Sequence, residues 1–369
     1  MVLVNKENNM INFTVGPVMS GEEVLAVSGQ SSPYFRTKEF SDIMLQNENI
    51  MLKFLHAPKN SRCVFLTSSG TGAMESCVMN ILNKDDKVIV VNGGTFGQRF
   101  AELCELHSLI YTEIKCKFGE QIRKEQLDEL DGKGYTALLV NMHETSSGVL
   151  YNMNMLSEFC KKNDICLIVD AISAFIADEL DMEKLGAAAV ITGSQKALAV
   201  HPGVSIIALS ESAINRVESN TEKCLYLSLK EALKNMERGQ TPFTPAVTIL
   251  LQINARLVSM LNNGGIDSER QKIRGLALYF RNHIKEFPFE YVVENDIDQS
   301  NAITSLRTTK KNAVRIFEEL KDNYGIWICP NGGIYKDDIF RVGHIGNLNE
   351  QDYDRLFAAL TDLKIKGII

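Results

Sequence analysis

Short unbroken apolar runs alternate along this chain with stretches in which apolar residues recur every three or four positions. VFLT (Val64–Thr67) precedes the helix-period pattern GAMESCVMNIL, and KVIVV (Lys87–Val91) precedes GQRFAELCEL. LIYTEI precedes a helical pattern from Glu120 to Leu130, and ALLVNM (Ala137–Met142) precedes NMLSEFCKK. CLIVD (Cys166–Asp170), AAAVIT and VSIIALS complete the series. Strand-length β-branched runs between amphipathic helices predict βαβ units, hence a largely parallel sheet covered on both faces. In such sheets ligands bind beyond the carboxyl ends of the strands. The unusual residues of this sequence fall there.

After about Thr244 the pattern changes. PAVTILLQINARLVSML predicts a long helix with a proline near its first turn. NNGG breaks it, and DSERQKIRGLALYFRNHIKEF predicts a second long helix. Short strands and helices follow, ending in NEQDYDRLFAALTDL with its acidic first turn. The organisation expected is an N-terminal arm (1–17), a large α/β domain (18–265) and a smaller α+β domain (266–369).

Composition narrows the function. Of 369 residues 45% are apolar and 23% charged, the balance of an ordinary globular protein, and the net charge of −7 disfavours nucleic acid as a partner. No apolar run reaches the ~18 residues of a membrane span, and MVLVNKENNMINF lacks the layout of a signal peptide. A cytoplasmic protein is expected. None of the eight cysteines forms a CxxC pair or a zinc-ligand spacing, so reduced thiols packed as small hydrophobes are expected, and no metal.

Six features carry candidate chemistry. FLTSSGTGAMES (Phe65–Ser76) is a strand, a glycine-rich turn and a helix start, where free N–H groups face an anion. It fails as a dinucleotide fingerprint, because Glu75 stands where the third glycine belongs and the next strand ends in Asn92. NGGTFGQRF offers Phe96 between glycines, and MHETSSGVL offers the hydroxyls of Thr145, Ser146 and Ser147. His143 and Glu144 are adjacent on a strand and point to opposite faces, so they do not read as a catalytic pair. Asp170 closes a buried strand, Lys196 follows one βαβ step later in ITGSQKAL, and Arg341 interrupts the apolar run IFRVGHIG. Each reads alone as a turn, a core residue or a surface charge. Together, an anion cup, an aromatic plate, an acid and a lone lysine on successive strand ends match the needs of pyridoxal 5′-phosphate.

The chain resembles the class V aminotransferases, fold type I pyridoxal-phosphate enzymes, and within them the branch of alanine–glyoxylate, serine–glyoxylate (pyruvate) and 2-aminoethylphosphonate–pyruvate aminotransferases. The pieces that carry the resemblance are FTVGP, SSGTGAME, NGGTFGQR, HETSSGV, IVDAIS, TGSQKAL, FTPAV and FRVGHIG. It implies that Lys196 is the Schiff-base lysine and proton shuttle, and that Asp170 pairs with the pyridine N–H. It implies Phe96 and Ile172 on the two ring faces and Thr145 near the ring hydroxyl. Ser69, Gly70, Thr71 and Gln195 would hold the phosphate, with Thr244 of the partner subunit. Arg341 would grip the substrate carboxylate and Gly16 would line the entrance. A homodimer with shared active sites is implied, as is transfer from a small amino donor to a 2-oxo acid such as pyruvate or glyoxylate. Two departures concern substrate and cofactor contacts. Phe96 replaces the tryptophan or histidine of many relatives, and Phe35-Arg36 replaces His-Arg. Cysteine desulfurases and selenocysteine lyases share the cup and the aspartate, but they place histidine before the lysine, where this chain has Gln195.

Overall fold

The computed structural model describes residues 10–369; residues 1–9 of the expected arm lie outside the described residues. Seven strands form the main sheet: β1 (Arg62–Leu66), β2 (Lys87–Asn92), β3 (Ile110–Lys115), β4 (Ala137–Asn141), β5 (Cys166–Asp170), β6 (Ala187–Gly193) and β7 (Ser205–Leu209). Their spatial order is β1-β7-β6-β5-β4-β2-β3. From β6 to β3 every neighbouring pair is parallel. The central strands are buried along their length because helices cover both faces, which is why they read as continuous apolar runs.

One member of the predicted series departs. β7 runs antiparallel to both β6 and β1. The segment joining β6 to β7 holds Lys196 and no helix, and a parallel return needs a crossover of a dozen residues or more. That segment is folded tightly onto itself instead. Ser194 Oγ donates to the carbonyl of His201, and the Ser194 N–H donates to that of Val204. The predicted helix 120–130 shortens to Lys124–Asp128, at whose start the Arg123 N–H donates to Gln126 Oε1 (3.0 Å). Pro245 lies just outside the helix Val247–Asn262, ahead of its N-cap Ala246.

A second sheet has the order β8-β9-β11-β10, comprising β8 (Phe289–Tyr291), β9 (Ile303–Thr308), β10 (Cys329–Pro330) and β11 (Ile339–Gly343). Its apolar cluster is built from Phe280, Ile316, Phe340, Tyr353 and Leu360, and it takes in Ile11 and Phe13 near the start of the described chain. Ile11–Asn12 pairs in parallel with Ile326–Trp327. The helix Gly265–Ile284 contributes Ile266 and Ile273 to the first core and Leu276, Phe280 and Ile284 to the second. Asp178 ties the two bodies polar-wise: buried after β5, it accepts from Ser300 Oγ (2.5 Å) and from the Asn301 N–H (2.8 Å).

Candidate active site

Every strand that ends in chemistry delivers it to one cleft. Its wall is formed by Ser69, Gly70 and Thr71 beyond β1, by Phe96 and Arg99 beyond β2, and by His143 and Thr145 beyond β4. Asp170, Ile172 and Ser173 at the end of β5, and Gln195 and Lys196 beyond β6, complete it. At ≈ 130 Å³ this is smaller than the ≈ 460 Å³ cleft lined by Gln121, Asn152, Glu179, Lys184 and Asp298. The convergence of acid, lysine and helix terminus, rather than room, marks the smaller cleft as the site.

The helix Gly70–Ile81 begins at the cup with Ser69 as N-cap, and the Ser69 hydroxyl makes no capping bond. Its oxygen and the first N–H groups of the helix are therefore available to an anion. Arg99 adds a cation, donating from Nη1 to Thr71 Oγ1 at 3.1 Å. A Cβ at Gly70 would collide with the Ile172 side chain, so glycine is what lets the cup and this apolar residue share the floor.

Phe96 is set by Glu144. The Glu144 carboxylate accepts from the N–H groups of Phe96 (3.2 Å) and Gly97 (2.9 Å) and from Ser146 Oγ (2.5 Å). A Cβ on Gly94 would run into that carboxylate at 2.7 Å, and one on Gly93 would meet the Tyr151 hydroxyl, which explains the glycine pair ahead of Thr95 and Phe96. The Arg99 guanidinium lies 4.9 Å from the Phe96 ring centroid, a cation–π contact.

Asp170 is buried, and burial pushes its carboxyl up to about 6. Its oxygens accept from the Ile172 N–H (2.8 Å) and from Asn141 Nδ2 (2.6 Å), which pull the other way. A carboxylate so held favours a cationic N–H partner, because the pairing offsets the desolvation cost. Lys196 is displaced oppositely. Burial, seconded by the Arg341 guanidinium, brings its ammonium down to about 8. Its Nζ donates to the carbonyl of Val15 at 2.7 Å. An amine that sheds its proton near neutrality is the nucleophile that carbonyl condensation requires.

The structure gathers nine of the twelve sequence-predicted residues in the cleft wall: Ser69, Gly70, Thr71, Phe96, Thr145, Asp170, Ile172, Gln195 and Lys196. Gly16 lies over the lysine, where a Cβ would sit 2.8 Å from Lys196 Cδ. Arg341, on β11, reaches in beside Thr145, donating from Nη1 to the Thr145 carbonyl at 3.1 Å. Its Nη2 donates to Cys329 Sγ (3.1 Å) and the Pro330 carbonyl (3.2 Å), while Nε is buried and unpartnered. Thr244 is not in this cleft. It is exposed on a separate shallow one with Tyr226 and Phe243.

Arg99 and Ser173 are wall residues that the sequence reading did not name for the site, and His143 is one that it weighed and set aside. The signal for Arg99 was its spacing of three from Phe96 on a helix, which puts both on one face. The opposite-face argument holds for His143 and Glu144: Glu144 braces the Phe96 helix, while His143 lines the cleft. Among the described residues no three His, Cys, Asp or Glu side chains group as a metal site. No helix among them is long and apolar enough to cross a membrane.

Comparison with known proteins decides the family. The family model "Aminotransferase class-V" matches residues 22–332. The chain belongs to the class V aminotransferases. A 2-aminoethylphosphonate–pyruvate transaminase of Phocaeicola vulgatus is 26% identical, over 80% of this chain and 83% of its own length. The small subunit of a soluble hydrogenase from Synechococcus sp. (strain PCC 6716) is 29% identical, over 94% of this chain and 90% of that protein. Among solved structures, the subgroup IV aspartate aminotransferase of Thermus thermophilus superposes with a TM-score of 0.85 at 25% identity, covering 94% of this chain and 96% of that one. This class V aminotransferase has the fold type I architecture and depends on pyridoxal phosphate. The cleft fits that cofactor on its own evidence: an anion cup narrowed by Gly70, an acid biased toward a cationic partner, and a lysine poised to lose its proton.

Proposed function

We propose that this aminotransferase moves the amino group of a small donor carrying one further anionic group, such as alanine, serine or 2-aminoethylphosphonate, to pyruvate or glyoxylate. The observation that carries the reading is Arg341. Its guanidinium is buried at the cleft with Nε unpartnered, and Arg99 is already committed to the cup through Thr71. A cation fixed by Thr145, Cys329 and Pro330, with its Nε–H still unpartnered, suits one carboxylate or phosphonate. The transaminase of Phocaeicola vulgatus, by its name, takes a phosphonate donor and pyruvate, in keeping with this class.

Bound pyridoxal phosphate supplies a carbonyl that condenses with amines and a ring that takes up the electron pair left when a Cα proton departs. The chain's residues do the rest. Ser69, Gly70, Thr71 and Gln195 would hold the phosphate, Phe96 and Ile172 would lie against the ring, and Thr145 would meet the ring hydroxyl. Asp170 would keep the proton on the pyridine nitrogen. Lys196 Nζ would take the proton from substrate Cα and return it one atom away, which needs its neutral form, and burial brings that form closer to neutral pH. Arg341 fixes the donor so that its Cα–H faces that nitrogen, and Gly16 leaves the entrance open. The exposed Thr244, beside the stacked Tyr226 and Phe243 rings, reaches the cup of the partner subunit in a homodimer.

Sulfur removal from cysteine is the rival activity. Cys329 does lie by Arg341, but it sits in β10, paired with β11, rather than on a loop free to swing onto substrate. The test is a donor–acceptor screen with the purified protein and added cofactor. It reads keto-acid and amino-acid products for alanine, serine, 2-aminoethylphosphonate and aspartate, and sulfide from L-cysteine. Transfer from one of the first three, abolished in Lys196→Ala, is expected. Turnover only with aspartate, or sulfide release, would overturn the proposal.

A further inference from the structure

His143 is the cleft-wall residue, among the described residues, with two polar atoms that are both buried and unpartnered. The side chain follows β4 and is only 2% exposed, yet neither Nδ1 nor Nε2 has a hydrogen-bond partner among the described residues. Burying an imidazole with both nitrogens idle costs ~1–3 kcal/mol, so a structural residue here would ordinarily be apolar. Glycine or alanine would serve if the space were needed. The chain instead keeps a polar ring in the wall that also holds Thr145, Asp170 and Lys196.

The charges around it fix its form. Lys196, Arg341 and Arg281 are the cations that act on it, and the acids nearby are Asp170, at the end of β5, and Glu144, the next residue on its own strand. Burial, reinforced by those cations, brings the imidazole down to about 3. It is neutral throughout the working range, with one nitrogen a donor and the other an acceptor. A neutral donor in this buried wall suits an oxygen that carries partial negative charge.

We propose that His143 is a cofactor-positioning residue that donates a hydrogen bond from its neutral ring to the ring oxygen of bound pyridoxal phosphate, beside Thr145. This rests on the aminotransferase reading and adds a contact to it. The Thr145 hydroxyl also pairs with Ser173 Oγ at 2.7 Å, so when Thr145 donates there, that oxygen is left to a further donor. His143 shares its wall with Thr145 and Ser173, whose Oγ also reaches the His143 carbonyl (3.4 Å). The donor favours the more negative form of the oxygen, so it lowers the pH at which the bound cofactor's visible band interconverts.

The test compares wild type with His143→Leu, which removes the polar atoms at similar size, and His143→Asn, which restores a donor. Cofactor affinity is measured by fluorescence titration, the band midpoint by absorbance against pH, and the melting temperature of each cofactor-free protein by calorimetry. His143→Leu is expected to bind ~10-fold more weakly, the equivalent of ~1.4 kcal/mol. Its band midpoint should move to higher pH, its cofactor-free melting temperature should be no lower than wild type, and His143→Asn should recover both binding and midpoint in large part. Unchanged affinity and midpoint in both variants would overturn the assignment. So would equal losses in both, which would make the ring a packing element. If wild type itself gains no visible band with the cofactor, the parent reading fails instead, and the two failures are thereby distinguished.

Discussion

Lys196 is held at a cost to stability, and that cost can be measured. Bringing a lysine from its ordinary 10.5 down to about 8 corresponds to about 3 kcal/mol of destabilisation at neutral pH in the cofactor-free protein. The first cause is burial, and the Arg341 cation adds to it against the pull of Asp170. Lys196→Met keeps the length and apolar stem and removes the charge. It also deprives the Val15 carbonyl of its donor, which returns about 1 kcal/mol. The net expectation is a gain of about 2 kcal/mol at pH 7, a rise of about 3 °C in melting temperature for a chain of this size. The pH dependence has a definite sign. The folded-state value is depressed, so the unfolded chain binds more protons between pH 8 and 10.5, and wild type gains stability relative to the variant across that window. The assay is calorimetry or urea unfolding of both proteins, freed of cofactor, at pH 7, 8.5 and 10. A variant no more stable than wild type at pH 7, or a gap that stays constant to pH 10, would refute the claim that a buried ammonium is being held there.

Gly16→Ala should cut turnover at least tenfold with the fold intact by circular dichroism. The new Cβ would lie 2.8 Å from Lys196 Cδ on a backbone at φ +128°, and normal turnover would remove Gly16 from the site. Asp178→Ala should lower stability by about 2–4 kcal/mol in urea unfolding, because Ser300 Oγ and the Asn301 N–H lose their acceptor. Burial raises the Asp178 carboxyl to about 6, so between pH 6 and 4 the folded chain binds the extra proton and wild type should gain on Asp178→Asn as pH falls. Arg341→Gln should raise KM for the amino donor by roughly 10–100-fold, the worth of a charge-assisted hydrogen bond, with a smaller change in kcat; an unchanged KM would place the substrate anion elsewhere.

The sequence by itself determined the strands of the main sheet, the order in which chemistry appears at their ends, and hence the cofactor. Those features are local. A strand buried on both faces must be a continuous apolar run, and a cup, a plate, an acid and a lysine are legible wherever such runs stop. The direction of β7 was not legible, because it depends on the segment from Ser194 to Val204 closing on itself rather than on any residue in the strand. Nor was the work of Glu144, which binds backbone N–H groups more than forty residues earlier in the chain. His143 and Arg99 have the same history: a histidine on a strand and an arginine on a helix carry no mark of which cleft they face. The two cores joined by the helix Gly265–Ile284, the clasp at Asp178 and the approach of Arg341 to Thr145 are likewise contacts between distant segments. Periodicity records which face of an element is apolar. Only tertiary packing decides which polar groups are carried into the same dry space, where burial moves Asp170 up and Lys196 down and gives each its chemistry.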